Sequence, residues 1–371
     1  MLKLQRLMIV CLALLALAAA VVVWRHSGPL QAPTVQQEIF GKALRQARNG
    51  EAGAARVLYQ QLARDDLLPT QRAVLYGLLA DYPSPRALKL ARADLHHDDP
   101  EVRQAAINAV VGLVPAAQRS LILGPLLDDP LANLRYAAAT AMLDLSPDEA
   151  GLYFGPLDKA LDEYRQVLVS QSASGSAADD TADRTSASAE AGPDLARQLL
   201  LAQILIHQGD RANAGTVLKR VLTRQPDNVH AIALQVRLLD QQGNADGARQ
   251  WLAEQLRQYP QSAALQHELG LWLVDHKQDE YALLALTRAV ELAPDNSTFR
   301  YSLAMTLHAM EQVDAAQRQL QEIVQRHPQD RRARVLLINY WKETGQLQNV
   351  QVLLAQLEQQ NPDDPLVQQG L

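Results

Sequence analysis

The chain has 371 residues, of which 48% are hydrophobic and only 5% aromatic, and its formal net charge is −6. Low aromatic content favours helices packed through Ala and Leu over a β-sandwich, and negative charge argues against a general polyanion binder, which needs clustered Lys and Arg. A single cysteine, Cys11, excludes intrachain disulfides, Cys-based zinc sites and covalently attached c-type haem, because each of these requires a second thiol.

An apolar run occupies Leu7–Trp24 near the amino terminus and is bounded by arginine on both sides. As a helix, its 18 residues would reach about 27 Å, close to the thickness of a bilayer core. We therefore predict a transmembrane anchor in residues 1–24, with a cleaved signal peptide ending near Ala18–Ala20 as the alternative. Because Lys3 and Arg6 precede the run, we expect a single pass through a bacterial inner membrane, with the bulk of the chain in the periplasm.

The next segments predict an extended linker at residues 25–37 and a helical repeat domain at residues 38–147. Three stretches, "TQRAVLYGLL", "PEVRQAAINAVVGL" and "ANLRYAAATAMLDL", each place an arginine shortly after a proline and within a helical apolar pattern. These arginines, Arg72, Arg103 and Arg135, are 31 and 32 residues apart. The pattern resembles short HEAT repeats, most clearly in "DDPEVRQAAINAV".

Two contrasting segments follow this domain. The stretch "LDKALDEYRQVLVS" predicts a connecting and capping helix within residues 148–170. Residues 171–192 contain no sizeable apolar side chain, so burial cannot offset the entropy lost on ordering, and we predict a disordered linker there.

A strict 34-residue interval organises the remaining chain, residues 193–371. It is marked by five prolines, Pro226, Pro260, Pro294, Pro328 and Pro362. The residue eight positions before each proline is Leu218, Leu252, Leu286, Leu320 or Leu354, and the residue twelve before is Ala214, Ala248, Ala282, Ala316 or Val350. This alternation of small and large residues is what interlocking helix pairs need, and it resembles the tetratricopeptide repeat. Lys277 and Glu311 depart from its turn glycines.

The predicted fold is thus an all-α solenoid of HEAT-like helix pairs followed by five tetratricopeptide repeats, with an amino-terminal transmembrane anchor. The repeats cover residues 195–228, 229–262, 263–296, 297–330 and 331–364. Because "DPLVQQGL" is too short for a full capping helix, we expect the last apolar face to be partly uncovered.

The resemblance also implies a binding groove, since the first helix of each tetratricopeptide pair lines a concave surface. Transferring the family's groove positions to the third, fourth and fifth repeats gives His267, Leu271, Val274, Tyr301, Met305, His308, Val335, Asn339 and Lys342. Such a mixture of apolar and polar side chains is typical of peptide grooves, although an ordinary solvent-facing surface is the alternative.

The sequence favours no catalytic, metal or cofactor site. In "HHDD", His96–Asp99, adjacent residues rarely converge on one ion, and Asp99 before Pro100 is better explained as a helix cap. Neither a phosphate-binding glycine loop nor the context of an activated nucleophile is present. We therefore expect a protein that is not an enzyme, with an active site hidden in the solenoid as the weaker alternative.

Residues from Phe40 onwards also resemble the carboxy-terminal half of bacterial periplasmic multihaem cytochrome c proteins, as in "LLDDPLANLRYAAATAMLDL" and "ELAPDNSTFRYSLAMTLHAM". The resemblance implies an envelope location and association with cytochrome or other envelope complexes, but not haem binding. We predict a membrane-anchored scaffold for protein partners, with no nucleic acid and no cofactor. The alternative is an assembly factor or chaperone for cytochrome c or another respiratory complex.

Overall fold

The computed structural model describes residues 35–178 and 187–369, and in these ranges it consists of helices and connecting turns without a strand. The predicted anchor, Leu7–Trp24, lies outside the described residues. In the part of the chain that is described, none of the helices is both long and apolar enough to cross a membrane. The predicted extended linker, residues 25–37, is described only at its end, where the structure differs from the prediction: the first helix already begins at Val35.

Short helices joined by tight turns make up the first half of the described chain. Three 3₁₀ segments, Leu79–Asp81, Gly124–Asp128 and Gly151–Tyr153, lie between them. The α-helices are α1 (Val35–Asn49), α2 (Ala54–Leu62), α3 (Pro69–Tyr76), α4 (Pro85–Asp94), α5 (Pro100–Leu113), α6 (Ala116–Leu123), α7 (Ala132–Ala141) and α8 (Pro147–Ala150).

The three arginines that defined the first repeat pattern make equivalent ion pairs. Each reaches from its own helix to a carboxylate 22 to 28 residues further along the chain. The pairs are Arg72 with Asp94 at 2.6 Å, Arg103 with Asp129 at 2.6 Å and Arg135 with Glu163 at 3.1 Å. The sequence interval therefore corresponds to a repeated contact between successive helices, while the HEAT-like classification stays a prediction.

Longer helices in regular alternation follow. A long helix, α9 (Phe154–Ala178), precedes five helix pairs and a short terminal helix. The pairs are α10 (Ala187–His207) with α11 (Arg211–Arg224), α12 (Val229–Gln241) with α13 (Ala245–Gln258), α14 (Ala263–Asp275) with α15 (Asp279–Leu292), α16 (Ser297–Ala309) with α17 (Val313–Arg326), and α18 (Arg331–Glu343) with α19 (Leu347–Gln360); α20 is Pro365–Gln369.

The predicted disordered linker, residues 171–192, differs in part from the structure. Helix α9 continues to Ala178 and α10 begins at Ala187, so both ends of the predicted linker are helical. Residues 179–186 lie outside the description. Small residues such as Ala and Ser lack apolar surface to bury, but Ala has the highest helix propensity, so a segment without large apolar side chains can still be helical.

Four prolines of the 34-residue interval, Pro226, Pro260, Pro294 and Pro328, each lie between two helix pairs, and the residue two positions after each of them caps the next helix. Asn228, Ser262, Asn296 and Asp330 accept a hydrogen bond from the backbone N–H three residues later, at 2.9 to 3.3 Å. Proline cannot extend the preceding helix, and the short polar side chain accepts a hydrogen bond from a free backbone N–H at the start of the next helix. Together the two residues set the boundary between helix pairs.

Small and large residues interlock within the pairs as the interval predicted. Ala282 and Leu286 are fully buried, as are their equivalents in the other repeats, except that Leu354 is only partly buried. A close approach within a pair is at Gly270 in α14, where a Cβ atom would lie 2.5 Å from Leu286 Cγ in α15. Only glycine fits there without displacement, which explains a residue that otherwise weakens a helix.

The turn within each pair has a left-handed residue. Gly209, Gly243 and Gly345 have φ values of 76°, 73° and 71°, and the non-glycine residues Lys277 and Glu311 have φ values of 57° and 60° at the equivalent positions. The turn geometry is therefore the same at Lys277 and Glu311, where the backbone is strained because a Cβ atom disfavours positive φ.

The final repeat is in contact with the first half of the chain, contrary to the expectation of a partly uncovered end. Gly53 N donates to Gln359 O at 2.6 Å, and Asn361 Nδ2 donates to Pro83 O at 2.8 Å. Asn361 is 2% exposed, and Asp364, which pairs with Arg331, is fully buried. Segments about 300 positions apart in sequence thus cover each other.

Candidate functional site

A cleft of about 770 Å³ is formed mainly by the first helices of the first three pairs, α10, α12 and α14. Leu234, Leu271 and Trp272 provide its apolar surface. Its polar lining includes Gln203, His230, Arg237, Asp240, Glu268 and Asp275.

Two smaller clefts continue from this one towards the first half of the chain. They measure about 450 and 350 Å³, and both are lined by Leu143, Asp144, His207 and Arg237. The second of them also shares Leu234 and Gln203 with the large cleft. The three are therefore contiguous, and Arg237 lines all of them.

The guanidinium of Arg237, like the carboxylates of Glu268 and Asp275, is a charged group of these clefts without a partner among the described residues. It is exposed and has neither an ion pair nor a side-chain hydrogen bond with any described residue. In contrast, Arg119 pairs with Asp144 at 2.7 Å. Asp240 accepts a hydrogen bond from Trp272 Nε1 at 2.9 Å and lies 3.6 Å from His276 Nε2.

Burial modifies two other titratable groups of the clefts. It raises the pKa of Glu268, because removal from water disfavours the carboxylate form. Burial also lowers the pKa of His207, because removal from water disfavours the imidazolium form. The hydrogen bond with the Leu143 backbone and the charge of Asp158 act in the opposite direction but are smaller. Burial therefore disfavours the charged form of the His207 imidazole, which lines two of the clefts together with Arg237.

The nine groove residues predicted from the sequence lie on α14, α16 and α18, and Leu271 is the one that lines the 770 Å³ cleft. His267 is buried instead of facing a groove. Its Nε2 lies 2.9 Å from Ser302 Oγ, its ring stacks on Phe299, and burial lowers its pKa. Val274 is partly buried against its neighbours.

The predicted residues of the fourth repeat are mostly engaged with the fifth. His308 Nε2 lies 2.7 Å from Glu343 Oε2, and its ring stacks on Tyr340. The Tyr301 ring lies under the Arg332 guanidinium, 5.8 Å from its centre, whereas Met305 is half exposed. In the fifth repeat Asn339 is exposed, and Val335 and Lys342 are partly buried.

One row of side chains nevertheless continues across all five first helices. Its members are separated by 34 residues and are Gln203, Arg237, Leu271, Met305 and Asn339. Four of them are exposed and Gln203 is half-buried. The interval that gave Leu271 would therefore also have found Arg237 and Gln203, had the groove positions been transferred to the first two repeats.

The predicted helix cap at Asp99 is present. Its Oδ1 accepts a hydrogen bond from the Glu101 N–H at 2.8 Å, and its own N–H donates to His97 Nδ1. Across residues 35–178 and 187–369, no three or more His, Cys, Asp or Glu side chains are grouped so as to hold a metal ion.

The repeated pairs, their interval and their interlocking residues define the class of this region. Residues 205–269 and 280–337 match the family model of the tetratricopeptide repeat. This part of the chain therefore contains tetratricopeptide repeats in an all-helical solenoid fold, as predicted. No curated protein sequence is significantly similar to the chain.

Several solved structures are similar to about half of the chain. A crystal structure of MamA has 19% sequence identity and a TM-score of 0.36, covering 45% of this chain and 91% of its own. MamA 41-end from Desulfovibrio magneticus RS-1 has 16% identity and a TM-score of 0.37, covering 46% and 97%. YrrB, described as a tetratricopeptide repeat protein with an unusual peptide-binding site, has 19% identity and a TM-score of 0.35, covering 51% and 98%.

Proposed function

We propose that this protein is a non-enzymatic scaffold that binds a segment of a protein partner in the cleft lined by α10, α12 and α14. The observation that carries the proposal is the row from Gln203 to Asn339, because its first three members, Gln203, Arg237 and Leu271, line the cleft of about 770 Å³. The match of residues 205–269 and 280–337 to the tetratricopeptide repeat supports the same class of function.

The chemistry of the cleft favours a polypeptide ligand. Exposed Leu271 offers apolar contact area, with the largely buried Trp272 beside it at the cleft wall, while Arg237 and Glu268 offer hydrogen-bonding groups in between. Apolar anchors with a few placed polar groups are the usual composition of peptide-binding surfaces. Because equivalent positions recur on successive helices, an extended segment meets a new side chain at each repeat.

We also propose that the scaffold is tethered to a bacterial inner membrane through Leu7–Trp24, with its bulk in the periplasm. The support is the charge-free apolar run and the basic residues before it. The full-length protein is then expected to stay with membranes after carbonate washing. Amino-terminal sequencing that finds a mature chain beginning after Ala20 would instead establish a cleaved signal peptide.

The narrower alternative is an assembly factor or chaperone for cytochrome c or another respiratory complex. It is favoured by the sequence resemblance to the haem-free half of periplasmic multihaem cytochrome c proteins. Deletion of the gene is then expected to lower holo-cytochrome content. Unchanged holo-cytochrome with a captured partner from another complex would favour the general scaffold.

The binding surface is tested by affinity capture from crosslinked membranes. Leu271→Ala combined with Met305→Ala removes two exposed apolar members of the row, so thermal stability should stay near that of the native protein while partner capture falls. The matched control is Leu284→Ala, an exposed leucine on the second helix α15. Equal capture by the double variant and the control would place the binding surface elsewhere.

A further inference from the structure

We propose that the cleft selects a segment with one carboxylate side chain, held by Arg237, and an apolar side chain a few residues away, held by Leu271 and Trp272. The inference rests on the proposed function and specifies the chemistry of its ligand. Arg237 is then a specificity-determining residue at the junction of the three clefts.

The first step is the electrostatic balance around Arg237. The neighbouring carboxylate Asp144 pairs with Arg119. Asp240 is only partly satisfied: its Oδ2 accepts a hydrogen bond from the Trp272 indole N–H, but its buried Oδ1 has no hydrogen-bond partner among the described residues. The guanidinium of Arg237 has no such partner among the described residues. A guanidinium offers two parallel N–H groups that match a carboxylate, and its charge-assisted hydrogen bonds are stronger than neutral ones.

The second step is the separation between the two contacts. Arg237 and Leu271 occupy equivalent positions on α12 and α14, which pack side by side. Packed helices lie about 8–10 Å apart, and an extended chain advances about 3.3 Å per residue. The acidic and apolar side chains of the ligand are therefore expected two or three residues apart.

The third step limits the number of acidic groups in the ligand. Glu268 and Asp275 line the same cleft as Arg237, so a second carboxylate close to the first would meet acidic side chains. A run of acids is thus disfavoured by like-charge repulsion, whereas a single acid next to an apolar residue is accommodated.

A random dodecapeptide library selected on the full-length protein tests the inference. Peptides enriched on the native protein should carry Asp or Glu two or three residues from a large apolar residue. Selection on Arg237→Glu should instead enrich Lys or Arg at the same place. The matched control is Arg220→Glu, an exposed arginine on the second helix α11 with the same change in net charge.

The best peptide is then compared with its Glu→Gln or Asp→Asn version by fluorescence anisotropy. We expect the acidic peptide to bind native protein and Arg220→Glu at least about tenfold more tightly than the neutral one, and Arg237→Gln to show no such preference. Enrichment of basic peptides by the native protein, or an unchanged acid preference in Arg237→Gln, would overturn the inference but leave peptide binding intact. If the native protein enriches no peptide at all, the proposed function itself fails.

Discussion

Because Gly270 lies against Leu286, we predict that Gly270→Ala destabilises the native protein but stabilises the Leu286→Ala variant. In the native protein, the methyl group of Gly270→Ala would lie 2.5 Å from Leu286 Cγ, so helices α14 and α15 or the leucine side chain must move. Overpacking of this kind costs about 1–3 kcal/mol, partly offset by the higher helix propensity of Ala, about 0.8–1.0 kcal/mol. We therefore expect a net loss of up to about 2 kcal/mol.

Leu286→Ala removes the obstructing atoms. Alone it should destabilise the protein by about 2–5 kcal/mol, because Leu286 is fully buried and leaves a cavity. In this background the methyl group of Gly270→Ala has space, so the helix propensity of Ala should now stabilise the protein by about 1 kcal/mol. The two substitutions are then coupled by about 1–3 kcal/mol.

The assay is urea denaturation followed by far-ultraviolet circular dichroism for the native protein, both single variants and the double variant. Gly215→Ala in α11 is the control, since its Cβ would lie 3.6 Å from the nearest atom, an ordinary contact, and should be mildly stabilising. Free energies that simply add, with Gly270→Ala acting in the same direction in both backgrounds, would refute the steric reasoning.

Three further predictions concern turns, ends and titration. Lys277→Gly and Glu311→Gly should each raise thermal stability by about 0.5–1 kcal/mol, because positive φ strains a residue with a Cβ; lower melting temperatures would contradict this. Asn361→Ala should cost about 1–3 kcal/mol in urea denaturation by leaving the Pro83 carbonyl without its donor; a neutral effect would mean that this contact contributes little. The raised pKa of Glu268 means that the folded state binds its proton more tightly, so stability is lost as pH rises from about 4 through the folded pKa. Glu268→Gln should therefore be more stable than the native protein at pH 7 in thermal melts, and this advantage should vanish below about pH 4.

Helix caps and buried positions were predictable from the sequence. The same contact recurs in each repeat and requires the same type of residue, so the residue recurs at a fixed interval. Ala282 and Leu286 are buried as predicted, and the polar residue two positions after each proline caps a helix. Lys277 and Glu311 looked like departures from the repeat, yet both adopt the left-handed conformation of the glycines they replace, since the surrounding helices impose the turn.

The candidate site was predicted only in part, for two physical reasons. Exposure depends on neighbouring helices, and His267 is buried because Phe299 and Ser302 of the next repeat contact it. A row position does not reveal that. Arg237 was missed because the predicted groove covered only the third to fifth repeats, and its lack of a partner among the described residues becomes visible only once the surrounding helices are placed.

The contact between Asn361 and Pro83 affects how easily the last repeat of the array can open. In a linear array each repeat touches only its neighbours, so a terminal repeat can fray at little cost. Here, opening the fifth repeat also requires breaking hydrogen bonds to residues 53 and 83, which lie in the first half of the described chain. Local opening at either place exposes surface at both, so amide hydrogen exchange in α2 and α19 should report one shared event.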